Sequence, residues 1–240
     1  MDKSHKKKFC KFCQNESVLC RSHIIPEFLY KNLYDEKHRM LVVEPSLMSE
    51  TFRQKGYYEY LLCNDCEQYF NVNFEQYYAN NCFSIIPEKF NKKPENFRYP
   101  GLDYSKYKLF ILSVFWRILI AKEAPFHHIK SDEHIQTIQE MLMKQDPGDE
   151  LDYPLYGYLV VHDREIRVMK DIIPTPNIFP INGLSVLSAM FDGIKWLLIL
   201  SEKLSFPPPS VRRNGNLHLG VKNLSQLGEI KSIFKAYKFE

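Results

Sequence analysis

Leu61-Leu62-Cys63-Asn64-Asp65-Cys66-Glu67 is the stretch on which the fold turns. A C-x-x-C pair bends the chain so that two thiolates point at one ion. A second pair, Cys10-Lys11-Phe12-Cys13, stands well upstream. Two such pairs close a tetrahedral four-sulfur site, the usual structural solution for zinc. The long loop between them is tolerated because closure entropy grows slowly with length. The competing reading is two unrelated pairs, or thiols buried as small apolar groups. In a reducing compartment, repeated C-x-x-C argues for metal rather than disulfides. Cys20 and Cys82 have no such partner and read as core residues, with Cys20 the one alternative knuckle ligand. A metal staple also explains how a segment with few aliphatic runs folds at all.

Outward from the cysteines, the totals allow a real core. The chain has 240 residues, 45% hydrophobic and 14% aromatic, which suits one large domain or two small ones. Charged residues make up 25%, the ordinary globular level. A net charge of +3 neither demands nor excludes a nucleic-acid partner. The dense basic run Lys3-Ser4-His5-Lys6-Lys7-Lys8 reads as a solvated tail, or else as a phosphate-seeking arm. No apolar core follows those lysines, so no secretory signal is read. The apolar run 109–121 is broken by Ser113 and Arg117 and is too short to span a bilayer. A cytoplasmic protein with no membrane partner is expected.

Composition shifts near Pro100-Gly101, which divides the chain into a cysteine-rich segment, 1–100, and a conventional hydrophobic one, 101–240. Residues 103–123 are apolar nearly all round and predict a buried helix. Ser131 is placed to cap a second helix ending at Asp146-Pro147-Gly148. Strands are expected over 156–161 and 166–172, and over 184–191 and 194–200 around the turn Asp192-Gly193. Asn223 is placed to cap a last helix with Leu224, Leu227, Ile230, Ile233 and Phe234 inward. The second segment therefore reads as α+β, helices packed on a small antiparallel sheet. A helix starting near Asn64 stacks Glu67, Asn71 and Glu75 on one face and sets Phe70, Phe74 and Tyr77 on the next.

The order C-x-x-C, then Ser22-His23-Ile24-Ile25-Pro26, then Leu-Leu-Cys-x-x-Cys running into a helix resembles the zinc-containing branch of the HNH endonucleases. The resemblance covers about residues 8–82. It implies a ββα-metal fold on a treble-clef zinc scaffold, with Cys10, Cys13, Cys63 and Cys66 holding structural zinc. It further implies that His23 is the general base and that Glu67 holds a catalytic divalent ion, magnesium or manganese; Asn71, stacked one turn beyond Glu67, is read from the helix face as its co-ligand. Imidazole titrating near neutrality suits proton abstraction, and carboxylate suits a hard divalent cation. Three departures stand out. Ser22 replaces the family's first metal ligand, Tyr57-Tyr58-Glu59-Tyr60 stands where a middle Asn is expected, and Glu67 replaces the usual His or Asn. Within that stretch Glu59 is a candidate to orient His23. The departures leave a variant site and an inactive one both open.

The activity expected from the resemblance is hydrolysis of phosphodiester bonds, in DNA rather than RNA, in a restriction or phage-defence setting by analogy. The C-terminal region would select substrate, or bind a protein partner or a second copy of the chain. The rival reading is a non-catalytic zinc module that binds nucleic acid or a protein; a third is a structural subunit using the apolar helix for assembly. His127, His128 and His134, the acidic turn after Asp146, and Arg212-Arg213 read as surface features, and no phosphate-loop, dinucleotide or hydrolase-elbow motif occurs.

Overall fold

Both cysteine pairs sit where short antiparallel ladders end. Strands β1 (Lys8–Phe9) and β2 (Glu16–Ser17) pair across the turn that carries Cys10 and Cys13. Strand β3 (Leu19–His23) follows, and its last residue leads into the fully buried Ile24 and Ile25. A 3₁₀ helix (Glu27–Leu33) and a hairpin of β4 (Met40–Glu44) and β5 (Ser49–Arg53) intervene before β6 (Tyr58–Cys63) returns to pair with β3. The computed structural model describes residues 7–44, 49–129, 131–201 and 208–227. In the β3–β6 ladder Ser22 faces Glu59 and His23 faces Tyr58, with a register shift between Leu19 and Arg21 that leaves Cys20 in a bulge.

Helix α1 (Asn64–Phe70) begins directly on Cys63, which occupies its N-cap. It runs through a π-helical turn (Asn71–Glu75) into α2 (Gln76–Asn81) without leaving helical dihedrals. A π turn accommodates one extra residue and is often found beside functional groups. The buried stripe on this rod is Phe70, Phe74 and Tyr78. Tyr77, expected in that stripe, is only half-buried and its hydroxyl accepts from the Asp103 N–H at 2.8 Å.

After β7 (Asn96–Tyr99), Asp103 caps α3 (Tyr104–Ile120) by accepting from the Lys106 N–H at 3.0 Å. Helix α3 is buried on almost every side because α2, the π turn and α4 (Asp132–Lys144) pack around it. The aromatic contacts Tyr107–Trp196 and Phe110–Phe191 seat it on the sheet. Each such side chain, fully buried, contributes roughly 1.5–3 kcal/mol relative to exposure, which makes this helix the main organiser of the core. Ser131 precedes α4 but its side chain makes no cap hydrogen bond, and the helix stops at Gln145 in the left-handed conformation.

Strands β8 (Leu155–Val161), β9 (Asn177–Ile181), β10 (Leu184–Phe191), β11 (Ile194–Ile199) and β12 (Leu217–Asn223) complete a six-stranded sheet in the order β7-β12-β8-β11-β10-β9. All neighbours are antiparallel except β12 and β8. The hairpin at Asp192-Gly193 forms as expected, both residues having positive φ (51° and 72°), as a two-residue turn matched to strand twist requires. The architecture is therefore mixed α+β, with four α-helices among the described residues.

One expected strand is corrected. Residues 166–172 form no strand: Ile166 sits at φ 54°, unfavourable for a β-branched residue, and only single bridges tie Arg167 and Val168 to neighbours. Lys170 turns inward instead and donates to the Ile86 carbonyl at 2.7 Å. Asn223 caps a short 3₁₀ turn, Leu224–Gln226, with Leu224 and Leu227 buried; Ile230, Ile233 and Phe234 lie outside the described residues. One continuous core runs from Cys10 and Phe12 through Phe70, Phe74 and Tyr78 to Trp116, Phe191 and Trp196. Because β7 supplies an edge of the large sheet, that core does not divide at residues 100–101. Among the described residues no helix is long and apolar enough to cross a membrane.

Candidate metal centre and adjoining cleft

Cys10 and Cys13 come from the β1–β2 turn, Cys63 from the end of β6 and Cys66 from the first turn of α1. Their four sulfurs lie within 4.8 Å of one another. A tetrahedral zinc ion with Zn–S bonds of about 2.3 Å sets its sulfurs ~3.8 Å apart. Cys13 Sγ and Cys63 Sγ are 3.8 Å apart, so the donor set fits that ion. The Cys63 N–H donates to Cys10 Sγ at 3.3 Å, and the Lys11 N–H donates to the Leu61 carbonyl, which clamps one pair onto the other. Burial pushes the Cys66 thiol far up, and the neighbouring Cys63 adds to the shift. A divalent cation is what allows such crowded thiols to ionise together. Cys20 stays outside this group, and Cys82 is a buried core thiol whose burial raises it to about 12.

The helical rod that starts at the β6–α1 junction presents a cleft. Glu67, Gln68, Asn71, Val72, Glu75 and Gln76 line it, so the i, i+4, i+8 face of the helix opens onto one space. Glu67 is half-buried and its Oε1 has no hydrogen-bond partner in the protein. Burial raises the Glu67 carboxyl, while the Ser22 hydroxyl and the Arg117 guanidinium oppose that shift. Ser22 is itself fully buried, accepting from the Leu62 N–H at 3.1 Å, so it supports Glu67 rather than facing the cleft as a ligand.

His23 ends β3 with its side chain 28% exposed and Nε2 3.0 Å from Glu27 Oε2, off the line a hydrogen bond needs. Burial lowers its affinity for a proton, and Glu27 partly restores it; Arg117 and Glu75 are also within electrostatic reach. Glu27 is held in turn by the Tyr34 hydroxyl and by the Gly56 N–H. It was absent from the sequence reading, although it stands four residues beyond His23. Glu59 does not orient His23. Its carboxylate, on a residue 9% exposed, accepts from the Lys122 and Glu123 N–H groups at 2.9–3.1 Å and so caps the chain leaving α3.

A second residue missed by the sequence reading is Arg117 of α3, which was visible only as an interruption in an apolar run. Its guanidinium donates to the His23 carbonyl at 3.1 Å and pairs with Glu75 Oε1 at 2.8 Å. The site thus draws on β3, the 3₁₀ helix, the π turn and α3 together. Among the described residues, the four cysteines are the sole group of three or more His, Cys, Asp or Glu ligand atoms gathered closely enough to hold an ion.

The discounted features also have partners. His128 faces the Pro176 carbonyl, His134 lies 3.0 Å from the Tyr153 hydroxyl, and Arg213 pairs with Asp149. Comparison with protein-family models, with curated proteins and with solved structures returns no match to this chain.

Proposed function

We propose that this chain is a metal-dependent endonuclease of the HNH type that hydrolyses phosphodiester bonds, with DNA as substrate. The observation that carries this reading is the buried, unpartnered oxygen of Glu67, held on a helix that starts at the tetrathiolate centre and beside the strand that ends in His23. The β1–β2 knuckle, the β3–β6 ladder and α1 would then form a treble clef carrying a ββα site. Zinc at Cys10, Cys13, Cys63 and Cys66 would be structural.

In this reading each side chain has a stated task. His23, kept neutral by partial burial, accepts the proton of the attacking water, and the nearby Glu27 carboxylate would stabilise the imidazolium that forms. Glu67 and Asn71 hold a magnesium or manganese ion by oxygen. When bound, that ion supplies charge neutralisation at the phosphate. The sheet region would select the substrate or dock a protein partner or second copy, in the cytoplasm; a role in restriction or phage defence rests on analogy alone.

Glu75 favours a second reading. Its carboxylate is already neutralised by Arg117, and no second group of His, Cys, Asp and Glu ligand atoms is assembled among the described residues. A non-catalytic zinc module that binds nucleic acid or protein would look like this. Plasmid nicking in magnesium or manganese separates the two: the nuclease reading expects cleavage by the wild type and none by His23→Ala. Equal cleavage by both, or none with either metal, would overturn it.

A further inference from the structure

We infer that Arg117 is the positioning residue of the cleft, which makes helix α3, outside the cysteine-bound segment, an integral part of the site. This rests on the reading of His23 as the residue that acts on substrate. Arg117 stands where a helix core should be apolar, with its side chain only 2% exposed. Isolated buried cations are strongly disfavoured, so a guanidinium in this place is expected to be fully engaged. Its donors divide between anchorage and reach. Nε donates to the Ser113 carbonyl one turn back at 3.3 Å, and the plane lies over the Phe70 ring, 5.3 Å from its centroid. The outer nitrogens then bridge two elements, one reaching the His23 carbonyl and the other Glu75, which lines the cleft.

Those two contacts fix different elements. The bond to the His23 carbonyl pins the backbone where β3 stops being a strand, so it sets where the imidazole begins. The pair with Glu75 pins the π turn, which is the part of the rod that carries Asn71 and faces Glu67. A planar fork with several fixed donors can hold both at once; a lysine ammonium on a flexible stem can satisfy one and leaves the geometry free. Misplacement of a reacting group by about 1 Å is enough to cost ~100-fold in rate. Arg117 touches neither the scissile bond nor the ion in this account; it acts through His23 and Glu75.

The test uses full-length, zinc-loaded protein. Arg117→Lys is compared with wild type, and Arg98→Lys on exposed β7 serves as control. A second variant, Arg117→Met with Glu75→Gln, removes both charges together so that neither is left buried alone. Two readouts are taken at matched zinc content: the ring carbon–proton NMR signal of His23, assigned by its loss in His23→Gln, and kcat and KM for plasmid nicking. The expected result is a displaced or broadened His23 signal in both Arg117 variants, with kcat down at least tenfold, KM within about twofold, and no change in Arg98→Lys. An unmoved His23 signal in a folded, zinc-loaded Arg117 variant overturns the inference, as does an unchanged kcat. Should the wild type fail to nick DNA, the nuclease reading falls, and the His23 signal alone still decides whether Arg117 positions that ring.

Discussion

The tetrathiolate centre and the cleft beside it share a junction, β6 running into α1, yet they are built in opposite ways. At the centre, two local turns each deliver a pair of sulfurs, and all four converge within 4.8 Å. The cleft is lined by α1 and the π turn, the groups around it come from a strand end, a 3₁₀ helix and a distant helix, and two carboxylates there are engaged by protein: Glu27 by Tyr34 and Gly56, Glu75 by Arg117. A closed, locally encoded centre can assemble once the chain folds around an ion. An open one depends on the rest of the core being correct first. That difference ranks the perturbations that follow.

The largest effect belongs to the centre. Cys63→Ser, or chelation of the metal, removes binding energy that for structural zinc is on the order of 10 kcal/mol at neutral pH. The expected outcome is loss of bound zinc and of the cooperative transition of the segment around α1, read by metal analysis and circular dichroism. A Cys63→Ser protein that melts like wild type would erase the contrast between the two regions.

Next comes the seam where the α2 helix meets the sheet. Asp192 is buried at the β10–β11 turn, where it accepts from the Tyr78 hydroxyl at 3.0 Å and faces Lys170 at 3.6 Å. Burial raises its carboxyl to about 7, with Lys170 opposing. A folded value above the unfolded one means stability is fully present below about pH 4 and is lost as pH rises toward about 7. Asp192→Asn, which suits the positive φ of that turn, should flatten this slope. Thermal melts from pH 4 to 8 check it; parallel curves for the two proteins would contradict it.

Glu59→Gln sharpens the comparison at smaller scale. Losing charged acceptance of two backbone N–H groups should destabilise by ~1–3 kcal/mol while leaving the rate of nicking unchanged, since Glu59 grips the end of α3 and not His23. A selective fall in rate without a fall in melting temperature would return Glu59 to the site. The smallest effect is assigned to Arg213→Ala. Its pair with Asp149 is exposed, so the change in stability should stay within about 0.5 kcal/mol.

The same difference decides what could be read from the chain beforehand. C-x-x-C spacing carries its geometry within four residues, so the centre was legible. So was the Asp192-Gly193 hairpin, and so was α3, whose apolar run has no alternative to burial. Strand β9 was missed although Ile181-Asn182-Gly183-Leu184 carries a two-residue turn signal, with both turn residues at positive φ (50° and 81°). Strand β12 was missed because its place between β7 and β8, parallel to one and antiparallel to the other, is fixed by partners far away in sequence. The role of Arg117 could not be read for the same reason: His23 is 94 positions distant along the chain. Glu27 was nearer to hand, one short turn past Ile-Ile-Pro, and the 3₁₀ helix that returns it to His23 was the signal overlooked.

The most direct measurement is a manganese titration of zinc-loaded protein, followed by electron paramagnetic resonance, for wild type and Glu67→Gln. The account predicts one manganese ion per chain in the wild type. It predicts affinity weakened by about tenfold or more in Glu67→Gln, with the zinc content of both proteins equal. Manganese that does not bind, or that binds both proteins alike, would contradict the claim that the cysteine centre builds a second metal site beside itself.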